Sequence, residues 1–166
     1  DAIRHSVTKM ANLHFVAAEE YLKRVIQLGE QPETVYNVGG LGTDNILRLT
    51  LLTRTQLEKE IDFKLSKRNL LITFHPVTLE RGSTADQMGE LLTALEKLDD
   101  VGLIFTMPNA DTDGRILFKQ INAFCESHPS ARPYTSLGQL RYLSCVKHVD
   151  GVIGNSSSGL TEVPSF

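Results

Sequence analysis

At 166 residues the chain is about one domain long, enough to bury a sizeable core, and its 41% hydrophobic and 22% charged residues are ordinary for a folded globular protein. A formal net charge of -3, with no Lys/Arg cluster interleaved with aromatics, lacks the basic excess that gripping a phosphate backbone requires, so no nucleic acid is expected as a partner. No apolar run approaches the roughly 20 residues needed to span a bilayer, and no membrane partner is expected.

Along the chain, apolar runs of strand length alternate with amphipathic stretches of helical length. The first run, Asn12–Ala17 (NLHFVA), leads to a helix face marked by Tyr21, Leu22, Val25, Ile26 and Leu28. Thr34–Val38 (TVYNV) follows, and then Gly39-Gly40-Leu41-Gly42, the one stretch loose enough to act as a domain hinge. Residues 53–69 are polar and read as helix facing solvent. Leu70–Phe74 (LLITF) precedes a helix face of Met88, Leu91, Leu92 and Leu95, with Thr84 and Gln87 fitting a capping box. After Val101–Met107 (VGLIFTM) comes a face of Ile116, Leu117, Ile121 and Phe124 in a helix over 112–126 that Asp111 can cap; Ser136 can cap another over 137–145. Val149–Ile153 (VDGVI) is the last strand run. Strands alternating with helices in this way predict βαβ units and a parallel sheet, an α/β fold.

Cys125 and Cys145 lie in the helical stretches without metal or redox spacing. They read as small core residues, and the expected compartment is reducing and cytoplasmic. The sequence opens on Asp1 without a leader pattern and closes in the first turns of a helix, so a piece of a longer protein is expected.

In a parallel sheet ligands gather at the carboxyl ends of the strands. Four such ends carry small or polar residues: Val38 into GGLGTDN, Phe74 into HPVTLERG, Thr106 into MPNADTDG and Ile153 into GNSSSG. The serine loop is the most informative. A helix beginning near Gly159 would offer free N–H groups and the positive end of its dipole to an anion, and neighbouring hydroxyls would add donors. A P-loop would need Lys after its second glycine, where Leu160 and Thr161 stand, and a nucleophile elbow would need Gly in place of Ser158. The serines could equally do no more than cap a helix and fill a turn.

His75, at the end of LLITF and before Pro76, is held extended at the sheet's edge, as a loop residue or a catalyst. Asn109, after Pro108, is either a turn residue or a ligand contact. His5, His14, His128 and His148 show no ligand spacing with each other or with carboxylates, so no metal is expected. Gly40-x-Gly42-x-x-Asn45 resembles a dinucleotide fingerprint without its last glycine, and no acidic partner ends a second strand about 20 residues on.

Four stretches in this order, DAIRHSVTKMANLHFVA (1–17), FHPVT (74–78), MPNADTDG (107–114) and IGNSSSGLTEVPSF (153–166), resemble the hydrolysing UDP-N-acetylglucosamine 2-epimerases of the sialic-acid pathway. The likeness runs over nearly the whole chain and is weakest over 53–69 and 119–135. It implies a glycosyltransferase-B-like enzyme of two Rossmann-like domains with the active site between them. Residues 1–38 would be the tail of the first domain and the crossing strand, and 39–166 most of the second, nucleotide-binding domain.

The implied reaction converts UDP-GlcNAc to UDP and N-acetylmannosamine without cofactor. UDP is eliminated with the C2 proton to leave a glycal, and water adds back with inverted C2. Close relatives use UDP-diacetamido-trideoxy sugars instead. By resemblance Ser156 and Ser157 meet the diphosphate, Glu162 the ribose or sugar side, and Asn109 the nucleotide. His75 assists departure of UDP, and Arg4 sits near the catalytic carboxylates as a sugar-site or structural cation. Those carboxylates are expected before Asp1 and a nucleotide-binding Arg after Phe166. A homo-oligomer, dimer or tetramer, is implied for the full-length protein. A glycosyltransferase of the same architecture and a non-catalytic UDP-binding module are the alternatives.

Overall fold

The computed structural model describes residues 2–76, 83–108 and 114–166, the side chains of Leu41 and Asn45 excepted. Asp111, expected to cap a helix, lies outside the described residues. The chain divides into one unit of residues 1–48 with Ser165 and another of residues 49–164 with Phe166, so the glycine stretch 39–42 lies within the first unit.

The first unit runs α1 (Ala2–Met10), β1 (His14–Val16), α2 (Glu19–Gln27), β2 (Val35–Asn37) and α3 (Leu41–Arg48). β1 and β2 pair in parallel, His14 opposite Val35, Phe15 opposite Tyr36 and Val16 opposite Asn37, and the Phe15 and Tyr36 rings stack 5.7 Å apart. Parallel strands require a crossover, and α2 supplies it. Beyond α2, Gly29 takes φ +96 and donates its N–H to the Ile26 carbonyl, the left-handed stop that favours glycine. Glu30 then ties the unit together, its carboxylate 2.5 Å from Lys9 Nζ and 3.1 Å from the buried His14 Nε2. The Lys9 hydrogen bond, foremost, and the His14 bond hold this carboxyl below its ordinary pKa against the opposing effect of desolvation.

The second unit runs α4 (Arg54–Glu60), β3 (Arg68–Thr73), α5 (Thr84–Leu95), β4 (Val101–Thr106), α6 (Gly114–Ser127), β5 (Ala131–Tyr134), α7 (Gly138–His148), β6 (Gly151–Gly154) and the single turn α8 (Ser158–Thr161). Its sheet has the order β5-β4-β3-β6, every pair parallel. Both faces are covered, and the side-chain alternation of the central strands sorts the core into two. Ile72, Leu103 and Phe105 point to α5 and α6, meeting Met88, Leu95, Leu117, Ile121 and Phe124. Leu71 and Ile104 point the other way, to Leu57, Ile61, Cys145 and Val146 on α4, α7 and the residues beside them. The register sets Leu71 against Ile104 and Ile72 against Phe105, so each layer is continuous across the two strands.

Several elements differ from the sequence reading. β5 went unread because ARPY is four residues long and carries Pro133; an edge strand tolerates proline because one side of it needs no partner. Residues 53–69 are not merely a solvated face. Leu57 is 0% exposed, and Thr53 with Gln56 forms the capping box that starts α4. The box expected at Thr84 does not form: Thr84 is the first helical residue, turned inward at 5% exposure, and Ser83 precedes it as the cap residue without a capping side-chain bond. α7 starts at Gly138, and Ser136 Oγ accepts the Gly138 N–H at 3.3 Å, so the expected serine serves that terminus by a shorter reach. Cys145 is buried and Cys125 half-buried, as expected of core residues; burial pushes their thiols up to about 12 and about 11.

β6 leaves the sheet by an unusually close approach. Gly154 has φ +143, and a Cβ there would lie 1.7 Å from the Thr73 carbonyl oxygen. Gly154→Ala should therefore destabilise the second unit by about 2–5 kcal/mol, combining backbone strain with overpacking. Gly159→Ala, where a Cβ meets nothing within 4 Å, should change stability by no more than about 0.5 kcal/mol. Urea unfolding of the two variants checks the contrast.

Candidate functional site

The strand order places the site. The chain proceeds from β3 outward through β4 to β5, then returns to lay β6 on the other side of β3, so the order reverses between β3 and β6. The carboxyl ends of two such strands are the place where parallel α/β sheets bind ligands. Here the loops leaving those ends are Phe74-His75-Pro76 and Asn155-Ser156-Ser157.

Asn155 joins them. Its Oδ1 accepts the His75 N–H at 2.8 Å, its Nδ2 donates to the His75 carbonyl at 2.8 Å, and its own N–H reaches the Thr73 carbonyl at 3.2 Å. One amide side chain thus pairs with the His75 backbone as a neighbouring strand would, past the point where the ladder ends. His75 is fixed by its main chain.

On the α7 side, Thr73 and Thr106 lie opposite each other at the ends of β3 and β4, with their hydroxyls 2.6 Å apart. Beside them the Tyr142 hydroxyl donates to Ser158 Oγ at 2.7 Å, and Ser158 Oγ donates to Glu162 Oε2 at 2.6 Å. Burial, and secondarily the Glu162 charge, hold the Tyr142 phenol above its ordinary pKa, against the hydrogen bonds to Ser158 and Thr73. Tyr142 therefore stays a neutral donor. A cavity of about 380 Å³ opens here, with His75, Thr106, Leu137, Gly138, Tyr142 and Glu162 in its wall. A larger groove of about 730 Å³ runs along α5 and α6 past Gly89, Thr93 and Gln120, and no residue of the strand-end loops lines it.

The residues singled out from sequence fall as follows. His75 and Glu162 share the cavity wall, although they stand 87 positions apart in the chain, and the serine loop is bound to His75 through Asn155. Ser156 is half-buried and accepts the Ser158 N–H at 3.3 Å. Ser157 is exposed, and its side chain makes no hydrogen bond among the described residues. Capping thus occupies Ser156 and leaves Ser157 spare. The helix expected from Gly159 is the one turn Ser158–Thr161, which gives way to a 3₁₀ turn at Val163–Ser165 containing Pro164. Arg4 is exposed on α1 in the first unit, where its carbonyl accepts the Thr8 hydroxyl at 3.1 Å. Asn109 lies outside the described residues. Sequence reasoning passed over Asn155, Tyr142 and Ser158; only the position of Asn155 next to a strand-ending glycine could have signalled the first, while Tyr142 reads as an ordinary helix-face aromatic.

The second unit is thus a Rossmann-like parallel α/β sheet with polar loops converging at its switch point, the place where sheets of this class bind ligands. The family model for UDP-N-acetylglucosamine 2-epimerase matches residues 1–166, and the chain belongs to that family. It is 41% identical to the GDP/UDP-N,N'-diacetylbacillosamine 2-epimerase (hydrolyzing) of Campylobacter jejuni, covering 100% of this chain and 44% of that protein. It is 45% identical to the polysialic acid biosynthesis protein P7 of Escherichia coli, covering 99% of this chain and 42% of the relative. The chain thus spans less than half the length of these curated relatives.

Among solved structures, the S. aureus MnaA-UDP co-structure superposes with a TM-score of 0.71 at 17% identity, covering 96% of this chain and 41% of that one. UDP-GlcNAc 2-epimerase from Methanocaldococcus jannaschii does so with a TM-score of 0.58 at 16% identity, covering 91% and 43%. At these identities the likeness shows fold: an α/β chain with a parallel sheet that covers under half of a glycosyltransferase-B-like structure.

Asn155→Ala removes both bonds to the His75 backbone and should cost about 1–3 kcal/mol of stability. The His75 amide should exchange with solvent deuterium much faster in the variant, and exchange measured residue by residue checks it.

Proposed function

We propose that the protein carrying this chain is a hydrolysing UDP-GlcNAc 2-epimerase for sialic acid or related nonulosonate biosynthesis. In this reading it converts UDP-GlcNAc to UDP and N-acetylmannosamine by eliminating UDP and rehydrating the glycal. The observation that carries the reading is the meeting of His75, the serine loop and Glu162 at the switch point of a chain that matches the epimerase family over its whole length. Relatives bearing hydrolysing 2-epimerase names, at 41% and 32% identity, support it, and the polysialic acid name of a third supports the pathway. Two of those names specify diacetylbacillosamine nucleotides, so a UDP-diacetamido sugar is the companion substrate to test.

The chemistry asks for groups that stabilise charge gathering on the departing diphosphate. Ser157 has a donor to spare and Ser156 can turn its hydroxyl hydrogen outward, since its oxygen is the part used by the Ser158 N–H. Both are assigned to the diphosphate. Glu162 accepts from ribose hydroxyls. His75 donates toward the departing UDP, with Asn155 holding its main chain in place. Asn109 and Arg4 are assigned to the nucleotide and the sugar site. Residues 1–38 are assigned to the tail of a first Rossmann-like domain, 39–166 to the second, and the full-length protein to a cytoplasmic homo-oligomer. Among the described residues no helix is long and apolar enough to cross a membrane.

Incubation of the full-length protein with UDP-GlcNAc, and separately with the UDP-diacetamido sugar, should release UDP and the 2-epimerised free sugar from at least one. Release of UDP only when an acceptor is added would mark a glycosyltransferase, and saturable UDP binding without product a binding module. Replacing Ser156 and Ser157 together by Ala should weaken UDP binding by about 1–3 kcal/mol in titration calorimetry, the worth of hydrogen bonds to charged oxygens. His75→Ala leaves both main-chain bonds to Asn155 in place, so turnover should fall by about 10²-fold or more while the unfolding midpoint stays unchanged.

A further inference from the structure

Three serines stand together in the loop, and the third differs from its neighbours. Ser158 is 8% exposed, against an exposed Ser157 and a half-buried Ser156. Its hydroxyl is filled on both sides. As a carboxylate Glu162 can only accept, so Ser158 gives its one hydrogen to Glu162 Oε2 at 2.6 Å, and its lone pair receives the Tyr142 hydroxyl at 2.7 Å. A hydroxyl so engaged has no hydrogen left for a phosphate. The Glu162 carboxylate, by contrast, has one oxygen fixed, while Oε1 takes no hydrogen bond among the described residues. Glu162 forms part of the wall of the cavity that His75 and Tyr142 also line.

We propose that Ser158, backed by Tyr142, is a positioning residue that locks one oxygen of Glu162 and so aims the other at a vicinal diol, the ribose hydroxyls of the nucleotide. This rests on the reading that Glu162 meets the ribose. The three serines then divide their work, two for the diphosphate and one for the carboxylate that reads the sugar of the nucleoside. A carboxylate held in one rotamer loses less freedom on accepting a ligand hydroxyl, which is how a residue that never touches the ligand changes affinity.

The test is calorimetric titration of the full-length protein with UDP and with 2',3'-dideoxy-UDP, which keeps the base and the diphosphate and lacks the diol. Ser158→Ala should weaken UDP about tenfold and leave the dideoxy nucleotide bound as in the wild type. Tyr142→Phe, which keeps the ring and its packing, should give a smaller loss with the same selectivity. Equal losses for the two nucleotides would show the hydroxyl merely supporting the loop, and undiminished binding of UDP would show that it positions nothing; either overturns the proposal. Glu162→Gln separates the two readings. If it fails to narrow the preference for UDP over the dideoxy nucleotide, the ribose role of Glu162 is wrong. If it narrows that preference and Ser158→Ala does not, the positioning role alone falls.

Discussion

The close approach of Gly154 to the Thr73 carbonyl, at the end of the parallel β3–β6 pair, sets the geometry of the loops that follow these two strands. With 1.7 Å between that oxygen and the place a Cβ would occupy, only glycine can stand at 154, and the chain there takes a φ that L side chains rarely adopt. The approach brings the next residue's side chain within reach of the opposite loop. Asn155 spans the gap that a β-ladder would have filled, and the loops after β3 and β6 become one body. A wider spacing of the two strand ends would leave the His75 main-chain groups without Asn155 and seeking water.

That edge is rigid because the strands beneath it are buried on both sides. Leu71 and Ile104 anchor one layer and Ile72 and Phe105 the other, each at 1% exposure or less. At the last register position before the loops the α7-side layer gives way to polar residues: Thr73 faces Thr106, and their hydroxyls meet at 2.6 Å. The switch from apolar to hydroxyl side chains at one level of the sheet marks where the packed interior ends and the polar cavity begins. Burial lower down fixes the strands, and at the rim hydrogen bonding on the α7 side joins the packing of Phe74 and Met107 on the other in fixing the loops.

Much of this architecture can be read from the sequence, and the parts that cannot share a cause. Long apolar strands such as LLITF and VGLIFTM announce themselves because burial on both faces makes them continuous in composition. β5 does not, since an edge strand is under no such demand and can hold Arg132 and Pro133. The stretch 53–69 misled because its charges outnumber the spaced residues Leu57, Ile61 and Leu65, which are what it buries. Among the site residues, His75 and the serine loop stand out by position at strand ends. Asn155, Tyr142 and Ser158 do not, because their importance is relational. Nothing in a one-dimensional string pairs residue 155 with 75, or says that the hydroxyl of 142 will find that of 158.

Those relations also separate groups held for structure from groups left for chemistry. His75 spends its backbone on Asn155; Ser158 gives its hydrogen to Glu162 and its lone pair to Tyr142, while the Ser157 hydroxyl makes no hydrogen bond among the described residues. Residues that look interchangeable in GNSSSG are therefore inequivalent once their hydrogen-bond valences are counted. A buried hydroxyl that is fully paired adds rigidity, and an exposed one that is unpaired costs nothing to hold in reserve. The loop contains both kinds side by side, so the committed members fix the position of the uncommitted ones. A loop built this way can present donors with little reorganisation, and it is that preorganisation, more than the number of serines, on which the proposed diphosphate role rests.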